Sequence, residues 1–207
     1  VTDVMSGVRE LVRAISAADT PVVVTPPVYP PFFSVSNLLS RPIVTAPLTA
    51  EGRLDPATLE AAFAEATSGG KGAILIISNP HNPTGVVHSR TELETVARLA
   101  RQYGVRVISD EIHSPLVMPT STLTPYLSVA NTGPDFAVVS ASKGWNLAGF
   151  KAALVIAGAD AAETLHTPDM HSAHAGHIAV IAHTAAFNHA RDWLDAVIAG
   201  VDANCRL

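Results

Sequence analysis

The sequence predicts an α/β fold, with helices covering both faces of a mostly parallel sheet, and three observations carry the prediction. Short β-branched and apolar runs alternate with segments of helical periodicity, as strands joined by crossover helices require. Only 15% of the 207 residues are charged while 48% are hydrophobic, the balance of a sheet buried on both faces. Isolated polar residues follow directly after several of the apolar runs, where open α/β sheets hold ligands.

Taken in order, residues 2–16 present Val8, Leu11, Val12 and Ile15 at helical spacing, after the possible caps Thr2, Asp3 and Ser6. The run PVVVT reads as a strand leading into a proline-rich loop from Pro26 to Pro31, and residues 42–48 offer another short strand. Asp55 and Pro56 open a helix as N-cap and first-turn proline. Its inward face is Leu59, Ala62, Phe63 and Ala66, and Gly69 and Gly70 close it.

AILIIS (73–78) is a buried strand followed by the turn NPHNPTG. Ser89 and Glu92 form a capping box for a helix that buries Leu93, Val96, Ala97 and Ala100 and stops at Gly104. VRVIS (105–109) is the next strand and runs into Asp110; after a long loop comes FAVVS (136–140). AALVIA (152–157) follows too soon for a helical crossover and is expected to be antiparallel. The last third is helical, through HIAVIAHTAAF and DWLDAVIAGVDANCRL.

Composition narrows the function. The net charge is −5 with the basic residues scattered, which disfavours nucleic acid as a partner. The single cysteine, Cys205, forms no internal disulfide, and neither a membrane span nor a signal peptide is visible, so a soluble cytoplasmic protein is expected. A start at Val1 and a stop at Leu207 within a helical pattern suggest a segment of a longer chain.

The polar residues at strand ends suggest chemistry. Ser140 and Ser142 precede a lone lysine, Lys143, whose amine can form a Schiff base with an aldehyde such as pyridoxal phosphate when burial keeps it neutral. The two serines can donate to a phosphate, and Lys151 adds positive charge. Asp110, in SDEIH, is either a cap or a partner for a pyridine nitrogen that must stay protonated. His113 can support the ring or only pack. Asn82 sits in a proline-braced turn, either bonding its own backbone or aimed at a phenolic oxygen. Tyr29, also proline-braced, is a core aromatic or a stacking surface. Backbone amides at Val4 and Met5, at a helix amino end, can add phosphate contacts.

Together NPHNPTG, SDEIH and SASKGWNLAGFK resemble the fold-type I pyridoxal-phosphate enzymes of aminotransferase class I/II, most nearly the MalY/PatB type of cystathionine β-lyase. The resemblance covers essentially the whole chain. It implies a three-layer α/β/α large domain over residues 1–190, without the amino-terminal arm. Residues 191–207 would begin a helix leading to a small domain outside this chain. It further implies that pyridoxal 5'-phosphate is held by Lys143, that Asp110 faces the ring nitrogen and Asn82 the ring hydroxyl, that Tyr29 stacks, and that Ser140 and Ser142 bind phosphate. General aminotransferases carry tyrosine where His113 stands, which tilts the match toward the lyases, and Lys151 stands where many relatives have arginine. The substrate-gripping arginine of the family belongs to the part outside this chain.

The expected function is β-elimination from cystathionine or related cysteine S-conjugates. An aminotransferase uses the same groups, and a non-catalytic regulatory module of the same fold is a third reading. The expected partners are a small amino-acid substrate and a second copy of the chain. His171, His174 and His177 form H-x-x-H-x-x-H, but with no carboxylate or cysteine at ligand spacing no metal site is expected.

Overall fold

The computed structural model describes residues 1–166 and 174–206. A six-stranded sheet in the order β2-β1-β3-β4-β5-β6 carries helices on both faces. The strands are β1 (Val22–Val24), β2 (Ile43–Thr45), β3 (Ala73–Ser78), β4 (Val105–Asp110), β5 (Phe136–Val139) and β6 (Leu154–Ala157). All neighbours are parallel except β5 and β6, whose short connection allows only the antiparallel pairing that the sequence predicts.

The side-chain period of two divides the sheet into two cores. Leu75 and Ile77 of β3 pack with Leu59, Phe63, Leu93 and Val96, from α3 (Pro56–Thr67) and α4 (Arg90–Tyr103). Ile74 and Ile76 face the other way, toward Val8, Leu11 and Val12 of α1 (Val4–Ile15) and Phe32 of α2 (Pro31–Leu38). Each fully buried aliphatic or aromatic side chain contributes about 1.5–3 kcal/mol relative to exposure.

The helix ends follow the expected cap chemistry. Asp3 accepts from the Ser6 amide (2.8 Å), Asp55 accepts from the Ala57 amide (2.9 Å), and Ser89 and Glu92 exchange the two bonds of a capping box. Gly104 ends α4 at φ 69°, a left-handed conformation that favours glycine.

One feature differs from the sequence expectation. The proline-rich loop gives way to α2 at Pro31, because proline at the first helical position sacrifices no bond and Phe32, Val35 and Ser36 gain burial. The two helical stretches expected near the carboxyl end are α5 (His177–His189) and α6 (Arg191–Asn204), which meet at Ala190. At the break, the carbonyl of Ala190 accepts from Trp145 Nε1 (2.8 Å), and Leu194 and Ile198 pack on Trp145. These helices therefore rest on the loop that carries Lys143. Among the described residues no helix is long and apolar enough to cross a membrane. His171 of the triple-histidine motif lies outside the described residues, and among those described no group of three metal-ligating side chains is found.

Candidate active site

The carboxyl ends of β1, β3, β4 and β5 open onto one cavity of about 290 Å³. Val4, Met5, Tyr29, Asn82, Asp110, His113, Ser142, Lys143 and Lys151 all line it. Residues spread over most of the chain thus meet because parallel strands put their loops on the same edge.

Asp110 ends β4 and is 4% exposed; its Oδ1 accepts from the Ile112 amide (3.0 Å). Burial pushes its carboxyl up to about 7, reinforced by the charge of Glu111 and opposed by the Ile112 bond and the nearby Lys143 ammonium. Such a group is poised to gain a cationic or N–H partner. Asn82 is presented by a turn closed by bonds from the Gly85 amide to the His81 carbonyl (2.8 Å) and from the His81 amide to the Val86 carbonyl (2.7 Å). The Asn82 amide itself donates to Ser78 Oγ (3.3 Å), seating the turn on the end of β3.

His113 is half-buried, and burial together with the Lys143 charge lowers its pKa, so the ring is neutral at physiological pH. Tyr29 stands just before α2, edge-on to Phe32 with ring centroids 5.8 Å apart. Lys143 follows β5 on a tight loop. The next residue is Gly144, and a Cβ there would lie 2.7 Å from Pro115 Cβ, so the absence of a side chain lets this loop approach the turn after His113. Lys143 is exposed, so the desolvation expected around the amine is not supplied within the described residues.

One end of the cavity gathers groups that can hold an anion. The amino end of α1, with Val4 and Met5, meets Ser142 and Lys151 there. Lys151 Nζ lies 3.9 Å from Asp3 Oδ2. Ser140 does not line the cavity: it is buried and donates to the Ala152 carbonyl (2.7 Å). It also accepts from the Ser142 amide (3.1 Å) and lies 2.7 Å from Ser142 Oγ.

Sequence reasoning passed over Ser78 and Ile112 as wall residues and treated Asp3 only as a cap. Ser78 carries a signal in hindsight, being the polar end of an otherwise apolar strand.

The fold and the site together define an α/β/α domain of the aminotransferase type. The aminotransferase class I and II family is matched over residues 4–199, and the chain belongs to that family. It is 50% identical to the "Putative cystathionine beta-lyase" of Mycobacterium leprae over 99% of this chain and 52% of the relative. It is 31% identical to cystathionine beta-lyase PatB of Bacillus subtilis, over 97% of this chain and 53% of that protein. Among solved structures, the PLP-bound C-S lyase from Staphylococcus hominis superposes with a TM-score of 0.86 at 26% identity, over 98% of this chain and 53% of that one. The chain thus spans about half the length of the relatives it matches.

Proposed function

We propose that the cavity holds pyridoxal 5'-phosphate and that the protein is a carbon–sulfur β-lyase acting on cystathionine or related cysteine S-conjugates. The residues present fit that cofactor. A cavity with an anion-binding end, a buried carboxyl at about 7, an amide-bearing turn, an aromatic wall and an exposed amine matches a phosphate, a pyridine nitrogen, a phenolic oxygen, a flat ring and an aldehyde in turn. When bound, the cofactor supplies an aldehyde that links to amines and a ring that accepts electrons.

The chain's own residues then divide the work. Val4 and Met5 amides, Ser142 and Lys151 hold the phosphate, with Ser140 orienting Ser142 from behind. Asp110 keeps a proton on the ring nitrogen. Asn82 donates to the ring oxygen, with neutral His113 beside it, and Tyr29 covers the ring face. Lys143 would link to the cofactor's aldehyde, and its Nζ, once freed by the substrate amine, would take the Cα proton. The Cβ–S bond breaks as the Cα–Cβ double bond forms, and the sulfur leaves as a thiolate that can take up the proton carried by Lys143. Return of Lys143 to its original link would free the aminoacrylate, and water would hydrolyse that to pyruvate and ammonia.

The observation that carries the lyase reading is the half-identical relative named for that activity, matched across nearly the whole of this chain. The family also contains aminotransferases, which use the same cavity groups. Pyruvate formed from L-cystathionine without any keto acid supports the lyase; turnover only when a keto acid is supplied contradicts it. A homodimer and a cytoplasmic location are part of the same proposal. Ile178 and Ile181, 73% and 68% exposed on α5, support a further copy covering that face.

A further inference from the structure

Two buried polar side chains just behind the cavity reach the same distant stretch of chain. Asn79 begins the turn that presents Asn82, and its Nδ2 donates to the Thr124 carbonyl (2.9 Å). Glu111 follows Asp110, and its Oε1 accepts from the Tyr126 amide (2.7 Å) and from Ser109 Oγ (3.1 Å). Neither residue lines the cavity, and both are buried.

The stretch they grip is itself immobilised in the core. Tyr126 is fully buried and its hydroxyl donates to Asp135 Oδ2 (2.9 Å), while Asp135 Oδ1 accepts from the Val107 amide (2.9 Å). The two grips are also tied to each other, because the Asn79 amide donates to the Asp110 carbonyl (2.9 Å). The loop from His113 to Thr124 is thereby closed at its base by side chains of the residues that directly follow β3 and β4.

Burying a carboxyl group is costly unless hydrogen bonds offset the lost hydration, and Glu111 accepts two. Here the bonds hold the mounts of Asn82 and Asp110 to one rigid anchor. Those two residues must address two atoms of a single rigid ring, so their separation is the quantity such an anchor controls.

We propose that Glu111 and Asn79 are positioning residues that set the spacing between Asp110 and Asn82 by stapling both to the Thr124–Tyr126 segment. The proposal rests on the reading that Asp110 and Asn82 hold the cofactor ring.

The test compares the cofactor-loaded protein with its Glu111→Ala and Glu111→Gln variants. Three quantities are read: the dissociation constant for pyridoxal phosphate, the pH at which the bound cofactor's absorption changes, and the melting temperature. Glu111→Ala raises the dissociation constant about tenfold, the equivalent of one hydrogen bond to a charged group. It also moves the spectral midpoint by about half a pH unit or more. Glu111→Gln, whose amide oxygen still accepts from Tyr126, restores both. A Glu111→Ala protein that melts lower but keeps both cofactor readouts overturns the proposal, since the role is then structural alone. If that variant does not fold, Asn79→Ala is read by the same two measures, and unchanged values overturn the proposal. A wild-type protein that binds no pyridoxal phosphate refutes the functional reading and the staple together. Wild-type binding with unaltered variants refutes the staple alone.

Discussion

Ser78 and Asp110 stand opposite each other on the last rung of the parallel ladder between β3 and β4. Ser78 Oγ receives the Asn82 amide at 3.3 Å, so the turn that presents Asn82 starts level with the carboxyl of Asp110. A single rung of sheet therefore sets the height of both groups.

Asp110→Asn keeps shape but cannot hold a proton on a ring nitrogen. Turnover should fall by about 10²–10⁴. The same substitution has a signature in the cofactor-free protein. The native carboxyl, at about 7, keeps its proton to higher pH than the unfolded chain does. Between roughly pH 4 and 7 the unfolded chain releases this proton first, so the group's contribution to stability declines as pH rises through that window. Urea midpoints at pH 5 and pH 8 should show a smaller decline with pH for Asp110→Asn than for wild type.

Gly144→Ala would drive a methyl into Pro115. The Lys143 loop must then shift, and a displacement near 1 Å costs roughly 100-fold in rate. Steady-state kinetics should show the loss in kcat, with stability lowered by about 1–3 kcal/mol in denaturant titrations.

At Gly7, α1 crosses the sheet so closely that a Cβ would meet side-chain atoms of Val1, Val155 and Val138 at 3.1, 3.2 and 3.3 Å. Gly7→Val should lift the amino end of the helix, and with it the Val4 and Met5 amides. Affinity for pyridoxal phosphate should fall about tenfold, as for the loss of a charge-assisted bond. Unaltered affinity in equilibrium dialysis would argue against these amides as phosphate ligands.

Ser89→Ala removes the capping box of α4, away from the cavity. Stability should drop by about 1 kcal/mol with no change in cofactor affinity, as read from urea unfolding and absorbance titration.

Much of this was legible where the chemistry is local. Asp3, Asp55, Ser89 and Gly104 identify helix ends through bonds made within a few residues, and the polar residues after apolar runs mark the ligand edge of a parallel sheet. Non-local arrangements were not legible. Strand order depends on pairings between distant segments, and α2 exists because Phe32 and Val35 find a core that proline content alone does not reveal. The two serines before Lys143 look equivalent in sequence, yet Ser140 turns inward to the Ala152 carbonyl and only Ser142 faces the cavity. The exposure of Lys143 and the grip of Glu111 on Tyr126 likewise depend on three-dimensional packing.

The central claim is that Lys143 is the attachment point of pyridoxal phosphate in the cavity it shares with Asp110 and Asn82. Borohydride reduction of the cofactor-loaded protein, followed by digestion and mass spectrometry, tests it directly. The account predicts the reduced cofactor on the peptide containing Lys143. Attachment at another lysine, or none in a protein saturated with cofactor, would contradict it.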